Sequence, residues 1–146
     1  MVKTFADLPQ PIDDAISRIL SRQEDATWVD SAIQLHQRYI ERKKSLRYIT
    51  STTDSLGYLA MRAQATYAQV YGALTAVKEL VPSWSPKNIL DIGSGPGTAV
   101  WAAHEVWPSI HEATCVDEND SLLQLGKEIN SSASVAMHWL RQDVVS

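Results

Sequence analysis

The sequence predicts an α/β protein, in which a helical N-terminal region precedes three parallel strands that alternate with helices. Two observations lead to this prediction. Over the first 80 or so residues, apolar side chains recur at three- and four-residue steps, which is the spacing of amphipathic helices. After Pro86 the pattern changes to short apolar runs separated by helical segments. That alternation is typical of parallel strands joined by right-handed crossovers.

The N-terminal region is predicted to contain four helices. Their apolar faces place them at about residues 12–22, 27–44, 56–61 and 65–81. The segment 51–54 predicts a loop or a helix cap, because Ser, Thr and Asp are favoured at both. The fourth helix has the clearest pattern, since an apolar stripe runs from Tyr67 to Val81 before Pro82 ends it.

The C-terminal region is predicted to be the first half of a Rossmann-like domain. Strands are expected at residues 88–92, 113–117 and 135–140, and helices at 98–106 and 121–129. We therefore predict a helical region over 1–84 and a partial Rossmann-like domain over 85–146. Three strands would leave the first with an unpaired edge, which is an aggregation liability. We thus expect the chain to be the N-terminal fragment of a longer protein, or an ordered remnant of one.

Composition excludes several classes of protein. Hydrophobic residues make up 45% of the chain and charged residues 21%, as in ordinary globular domains. No apolar run approaches the ~18 residues that span a bilayer, so no membrane partner is expected. Residues 1–9 have neither the apolar core of a signal peptide nor an Arg-rich transit composition, which predicts a cytoplasmic protein. The single cysteine, Cys115, and four histidines without ligand spacing predict no metal site.

Charge is unevenly distributed along the chain. Residues 63–146 hold four basic and nine acidic side chains, which makes this half a poor nucleic-acid binder, and no DNA partner is expected. Five of the thirteen basic residues fall within ten positions: Arg38, Arg42, Lys43, Lys44 and Arg47. They indicate either a contact with RNA phosphates or a solvated helix end whose charges suit the helix dipole, and both interpretations stay open.

The most informative motif is the segment Asp91-Ile92-Gly93-Ser94-Gly95-Pro96-Gly97-Thr98. It joins the first predicted strand to a helix. Glycines there allow a sharp turn and a close approach to a ligand, and the helix offers unpaired N–H groups. Asp117 follows Gly95 by 22 residues, at the end of the next predicted strand. A carboxylate in that place can accept hydrogen bonds from ribose hydroxyls, so the motif predicts a nucleoside-containing ligand.

The spacing of the glycines bears on which ligand is bound. Dinucleotide sites use Gly-x-Gly-x-x-Gly, with a helix N-terminus against the pyrophosphate. Here the pattern is Gly-x-Gly-x-Gly, and Thr98 occupies the place of the last dinucleotide glycine. Asp91 would repel a pyrophosphate but would suit a cationic sulfonium with a free amino group. The loop and this acid together resemble the first motif of class I S-adenosylmethionine-dependent methyltransferases, and the resemblance implies S-adenosylmethionine as the cofactor. A nicotinamide-dependent oxidoreductase is the less favoured alternative.

Two segments, 58–68 and 95–103, resemble the ribosomal small-subunit methyltransferase-like family, over roughly residues 55–145. The shared pattern is an arginine (Arg62), an Ala-Thr-Tyr helix start at 65–67, and Gly-Pro-Gly-Thr-Ala-x-Trp-Ala-Ala at 95–103. Gln64 departs from it, since the family usually has proline there. Its members include bacterial predicted rRNA methylases and mitochondrial proteins of the small ribosomal subunit.

The resemblance implies a class I S-adenosylmethionine-dependent methyltransferase that acts on rRNA or with the small ribosomal subunit. A ribosome-assembly factor that keeps the fold without catalysis is the alternative. No catalytic residue can be named, and the chain alone is expected to be inactive because the segment that faces the methyl acceptor in this fold is absent. The predicted cofactor-binding residues are Asp91, Gly93, Ser94, Gly95, Gly97, Asp117 and Asp143. Asp143, after the third predicted strand, is placed like the residue that contacts the adenine amino group in such methyltransferases, and a surface loop acid is the alternative interpretation.

Overall fold

A computed structural model of the chain describes residues 6–23, 27–41, 49 and 51–145. Within these ranges it has six helices and three strands. The helical part comprises α1 (Gln10–Ser21), α2 (Thr27–Ile40), α3 (Thr52–Met61) and α4 (Ala63–Leu80). The alternating part comprises β1 (Asn88–Ile92), α5 (Thr98–Val106), β2 (Glu112–Asp117), α6 (Asp120–Ile129) and β3 (Ala136–Arg141). The predicted fold class is confirmed.

The helical region packs directly against the alternating region. One buried cluster joins Ile16 of α1, Leu59 of α3 and Tyr67 of α4 to Trp101 of α5 and Ile129 of α6. α3 begins four residues earlier than its apolar pattern predicts, because Ser51 Oγ accepts the N–H of Asp54 at 3.1 Å and caps the helix. The proposed division into residues 1–84 and 85–146 stays a prediction, and this cluster has members on both sides of it.

The sheet has the order β1-β2-β3, with both pairs parallel. Right-handed crossovers that advance in one direction put α5 and α6 on the same face. A second buried cluster fills that face, where Val100 and Val106 of α5 meet Ala113 and Cys115 of β2. The opposite face is open among the described residues, and Leu90 and Ile92 of β1 are 62% and 58% exposed.

Two further predictions concern surfaces. No helix in the described ranges is both long and apolar enough to cross a membrane. Of the basic cluster, Arg38 lies on α2, whereas Arg42, Lys43, Lys44 and Arg47 lie outside the described residues. The proposed contact with RNA phosphates therefore stays a prediction.

Because α6 packs closely on β3, a single methyl group added at Gly126 should lower the stability of the fold. A Cβ added to Gly126 would lie 2.4 Å from Trp139 Cη2 and 2.9 Å from the carbonyl oxygen of Pro96. Gly126→Ala should lower the free energy of unfolding by about 1–3 kcal/mol, the usual cost of overpacking. Gly72→Ala on α4 is the control, since nothing lies within 4 Å of its added Cβ. Urea denaturation of both variants checks this, and equal midpoints would contradict the packing described.

Candidate functional site

The chain turns sharply after β1 through three glycines in left-handed conformations. Gly93, Gly95 and Gly97 have φ values of 73°, 54° and 95°, which other residues adopt only with strain. The N–H groups of Gly93 and Ser94 both donate to the carbonyl oxygen of Val116, at 2.8 and 3.0 Å. The turn is therefore folded against the end of β2, and these N–H groups are used within the protein.

The side chain of Asp117, at the end of β2, also holds the glycine turn in place. Its Oδ2 accepts the N–H of Gly95 at 2.8 Å, and its Oδ1 accepts the N–H of Asn119 at 2.8 Å. Asn119 in turn caps α6 by accepting the N–H of Leu122, and its Nδ2 donates to the carbonyl oxygen of Ile49 at 3.0 Å. Each carboxylate oxygen of Asp117 keeps a lone pair with which it can accept from a ligand hydroxyl.

Asp91, on β1, differs from Asp117 in its partners. Among the residues that the structure describes, its buried Oδ2 has no hydrogen-bond partner. Burial and, second, the charge of Asp117 raise the pKa of Asp91 to about 6. Burial, with a smaller effect of Asp91, also raises the pKa of the neighbouring Cys115 to about 12, so this thiol stays protonated at neutral pH. A cation beside Asp91 would relieve the cost of its buried charge.

Asp91, Asp117 and the glycine turn border a cleft of about 500 Å³. Its walls come from the turn and α5 (Asp91, Gly93, Ser94, Gly95, Thr98, Ala99), from the end of β2 and α6 (Asp117, Glu118, Asn119, Leu122), and from the helical region (Ile49, Tyr58, Thr66). Three of these side chains are carboxylates, and none of the described lining residues is a lysine, arginine or histidine. The described lining of the cleft is therefore acidic.

The contribution of the helical region was not predicted. Tyr58 and Thr66 belong to the segment 58–68 that carries the family pattern, so that pattern could have drawn attention to them. For Ile49 the sequence has no such signal, because its place in the wall depends on the hydrogen bond from Asn119 to its carbonyl oxygen. No three His, Cys, Asp or Glu side chains in the described ranges are grouped so that they could hold a metal ion.

Five of the seven predicted cofactor-binding residues line this cleft: Asp91, Gly93, Ser94, Gly95 and Asp117. Gly97 is not among its lining residues. A Cβ there would lie 3.2 Å from both Met137 Cε and Trp139 Cη2, so this glycine allows close packing beneath the turn. Asp143 lines an adjoining cleft of about 480 Å³, which shares Gly93, Asp117 and Glu118 with the first. Ligand contact by any of the seven stays a prediction.

Comparisons with known proteins agree with the resemblance in the sequence. The model of the family described as "Mitochondrial small ribosomal subunit Rsm22" matches residues 52–146. The Homo sapiens "Ribosome assembly protein METTL17, mitochondrial" is 35% identical over 81 residues, which are 55% of this chain and 18% of the human protein. The Schizosaccharomyces pombe "Rsm22-cox11 tandem protein 2, mitochondrial" is 32% identical over 77 residues, 51% of this chain and 10% of that protein. The match thus spans less than a fifth of either relative.

The comparisons correct one prediction. The cytoplasmic location expected from residues 1–9 is wrong, because the family and these relatives are all described as mitochondrial. The prediction depended on the absence of a leader pattern in one short segment, and such an absence does not locate a protein.

The raised pKa of Asp91 predicts how stability depends on pH. A carboxyl group whose pKa rises from 3.8 to about 6 on folding favours the folded state when protonated, and that contribution is lost as pH rises from 4 through 6. Asp91→Asn mimics the protonated group. The ligand-free variant should be more stable than wild type at pH 8, by at most about 3 kcal/mol.

The two proteins should become equally stable below pH 4. Urea denaturation at a series of pH values measures this, with Asp120→Asn, an exposed acid of α6, as the control. A variant that is less stable than wild type at pH 8 would show that Asp91 makes favourable contacts, against the description above.

Proposed function

This chain belongs to the Rsm22 family of mitochondrial small ribosomal subunit proteins, and we propose that its acidic cleft binds S-adenosylmethionine. One observation carries the proposal. Asp91, Asp117 and Glu118 line the cleft, and Asp91 Oδ2 is buried without a partner. An isolated buried carboxylate is costly unless a cation meets it. S-adenosylmethionine brings two cationic groups, a sulfonium and an ammonium.

The hydrogen bonds of the turn argue against a dinucleotide. A pyrophosphate is held by free backbone N–H groups at a glycine turn and a helix N-terminus. Here the N–H groups of Gly93 and Ser94 donate to Val116, and that of Gly95 donates to Asp117. A pyrophosphate would also face three carboxylates. The nicotinamide-dependent alternative is therefore disfavoured.

Within this proposal the lining residues have distinct tasks. Asp91 binds the cationic end of the cofactor, and Asp117 accepts hydrogen bonds from the ribose hydroxyls while it holds Gly95 in place. The glycines let the backbone approach the ligand closely, and Tyr58 and Thr66 close the cleft from the helical side. Asp143 borders the adjoining cleft, where it would meet the adenine amino group. When bound, the cofactor supplies an electrophilic methyl group, whose transfer depends mainly on positioning of donor and acceptor.

We propose further that the full-length protein methylates rRNA on the small ribosomal subunit. The second candidate is a non-catalytic assembly factor, and the name of the human relative, a ribosome assembly protein, favours it. Among the described residues none is identified as a base that would activate a methyl acceptor. Binding of the cofactor and transfer of its methyl group are thus separate propositions.

Two measurements on the full-length protein separate them. Calorimetric titration with S-adenosylmethionine should give saturable binding, and S-adenosylhomocysteine should compete with it. A titration with no binding heat and no such competition would contradict the cofactor proposal. Small-subunit particles incubated with the labelled cofactor should then acquire label in rRNA if the protein is a methyltransferase. Binding without transfer to any particle would favour the assembly factor.

Asp117 gives a sharper test of the site. Asp117→Ala should weaken binding of S-adenosylmethionine by about 1–3 kcal/mol, the cost of losing hydrogen bonds to a charged group. Asp120→Ala removes a neighbouring exposed carboxylate that does not line the cleft, so its dissociation constant should stay near that of wild type. Equal dissociation constants for the two variants would show that Asp117 does not contribute to cofactor binding.

A further inference from the structure

We infer that Asn130, the residue that follows α6, is a positioning residue of the glycine turn and holds it together with Trp101. The inference rests on the proposed cofactor, since it concerns how the protein shapes the turn against which that cofactor would lie. It also gives a task to Trp101, a residue of the family pattern at 95–103 that does not line the cleft.

The side chain of Asn130 joins three parts of the fold. Its Oδ1 accepts the indole N–H of Trp101 at 2.9 Å. Its Nδ2 donates to the carbonyl oxygen of Gly126 at 2.7 Å and, over a longer distance of 3.4 Å, to that of Pro96. An amide side chain has an acceptor oxygen and two N–H donors, so it can make all three hydrogen bonds at once. One residue therefore ties α5 and α6 to the glycine turn.

The glycine turn comes very close to α6 at this point. Pro96 is fully buried, and a Cβ added to Gly126 would lie 2.9 Å from its carbonyl oxygen. A Cβ added to Gly97 would lie 3.6 Å from Trp101 Nε1, the atom that donates to Asn130. Because interiors are close-packed, a change in the hydrogen bonds of Asn130 is expected to be felt directly in the backbone of the turn.

The contact with Pro96 bears on the shape of the site. Pro96 lies between Gly95 and Gly97, both in left-handed conformations, and glycine has little conformational preference of its own. The turn is therefore fixed by its partners: Asp117, which lines the cleft, and Asn130, which does not. Without Asn130 the turn should populate other conformations, and a ligand that binds only one of them would bind less tightly.

The test removes the two ends of this network separately in the full-length protein. Asn130→Asp keeps an acceptor for Trp101 but, when ionised, has no N–H to donate. Trp101→Phe removes the indole N–H, and Trp107→Phe is its control, because Trp107 is also 5% exposed and its Nε1 has no hydrogen-bond partner among the described residues. Calorimetric titration with S-adenosylmethionine gives dissociation constants, and thermal melting checks folding. Hydrogen–deuterium exchange of peptides that cover 93–97 reports on the turn without any ligand.

Asn130→Asp should weaken binding of S-adenosylmethionine by roughly 3–10-fold, as for one lost hydrogen bond, and should speed exchange at the turn. Trp101→Phe should act in the same direction, the double variant should bind nearly as Asn130→Asp does, and Trp107→Phe should bind as wild type does. Additive effects, or variants that melt earlier but keep wild-type binding and exchange, would overturn the inference and leave the proposed cofactor intact. Failure of wild type to bind S-adenosylmethionine would overturn the proposed cofactor, and the exchange of the ligand-free turn would then decide the inference alone.

Discussion

The hydrogen bond from the Gly95 N–H to Asp117 Oδ2 is the contact on which the site depends. It fixes the turn after β1 to the carboxyl end of β2, the edge at which ligands bind in parallel α/β sheets. It also holds the Asp117 charge close enough to Asp91 to contribute, after burial, to the raised pKa of that carboxyl group. One carboxylate of the site thus stabilises the turn, whereas the buried Oδ2 of the second, Asp91, has no partner among the described residues. A cationic ligand would balance this unequal pairing of the two carboxylates.

The same imbalance explains why the cleft would favour one class of nucleoside ligand. The N–H groups of Gly93, Ser94 and Gly95 donate to Val116 and Asp117, so the turn offers phosphate groups fewer donors than a glycine turn with free N–H groups would. Its side chains instead supply negative charge. These features concern recognition of a ligand.

Most of the fold could be predicted from the sequence, because strands and helices in this chain follow their local apolar patterns. The turn was also predictable, because Asp91, the three glycines and Asp117 have the spacing of a motif that binds a nucleoside-containing ligand. What local pattern could not supply was the tertiary arrangement. Gly97 packs against Met137 and Trp139, and the wall at Tyr58 comes from a helix distant in sequence.

A direct test of the central claim is the number of protons released when S-adenosylmethionine binds at pH 6. Calorimetric titration of the full-length protein in buffers of different ionisation enthalpy measures it. Because burial and the charge of Asp117 raise the pKa of Asp91 to about 6, part of these carboxyl groups is protonated near that pH. A cation seated beside Asp91 should expel a fraction of a proton per site, and Asp91→Asn should not show this release. Binding by wild type without proton release would contradict the account.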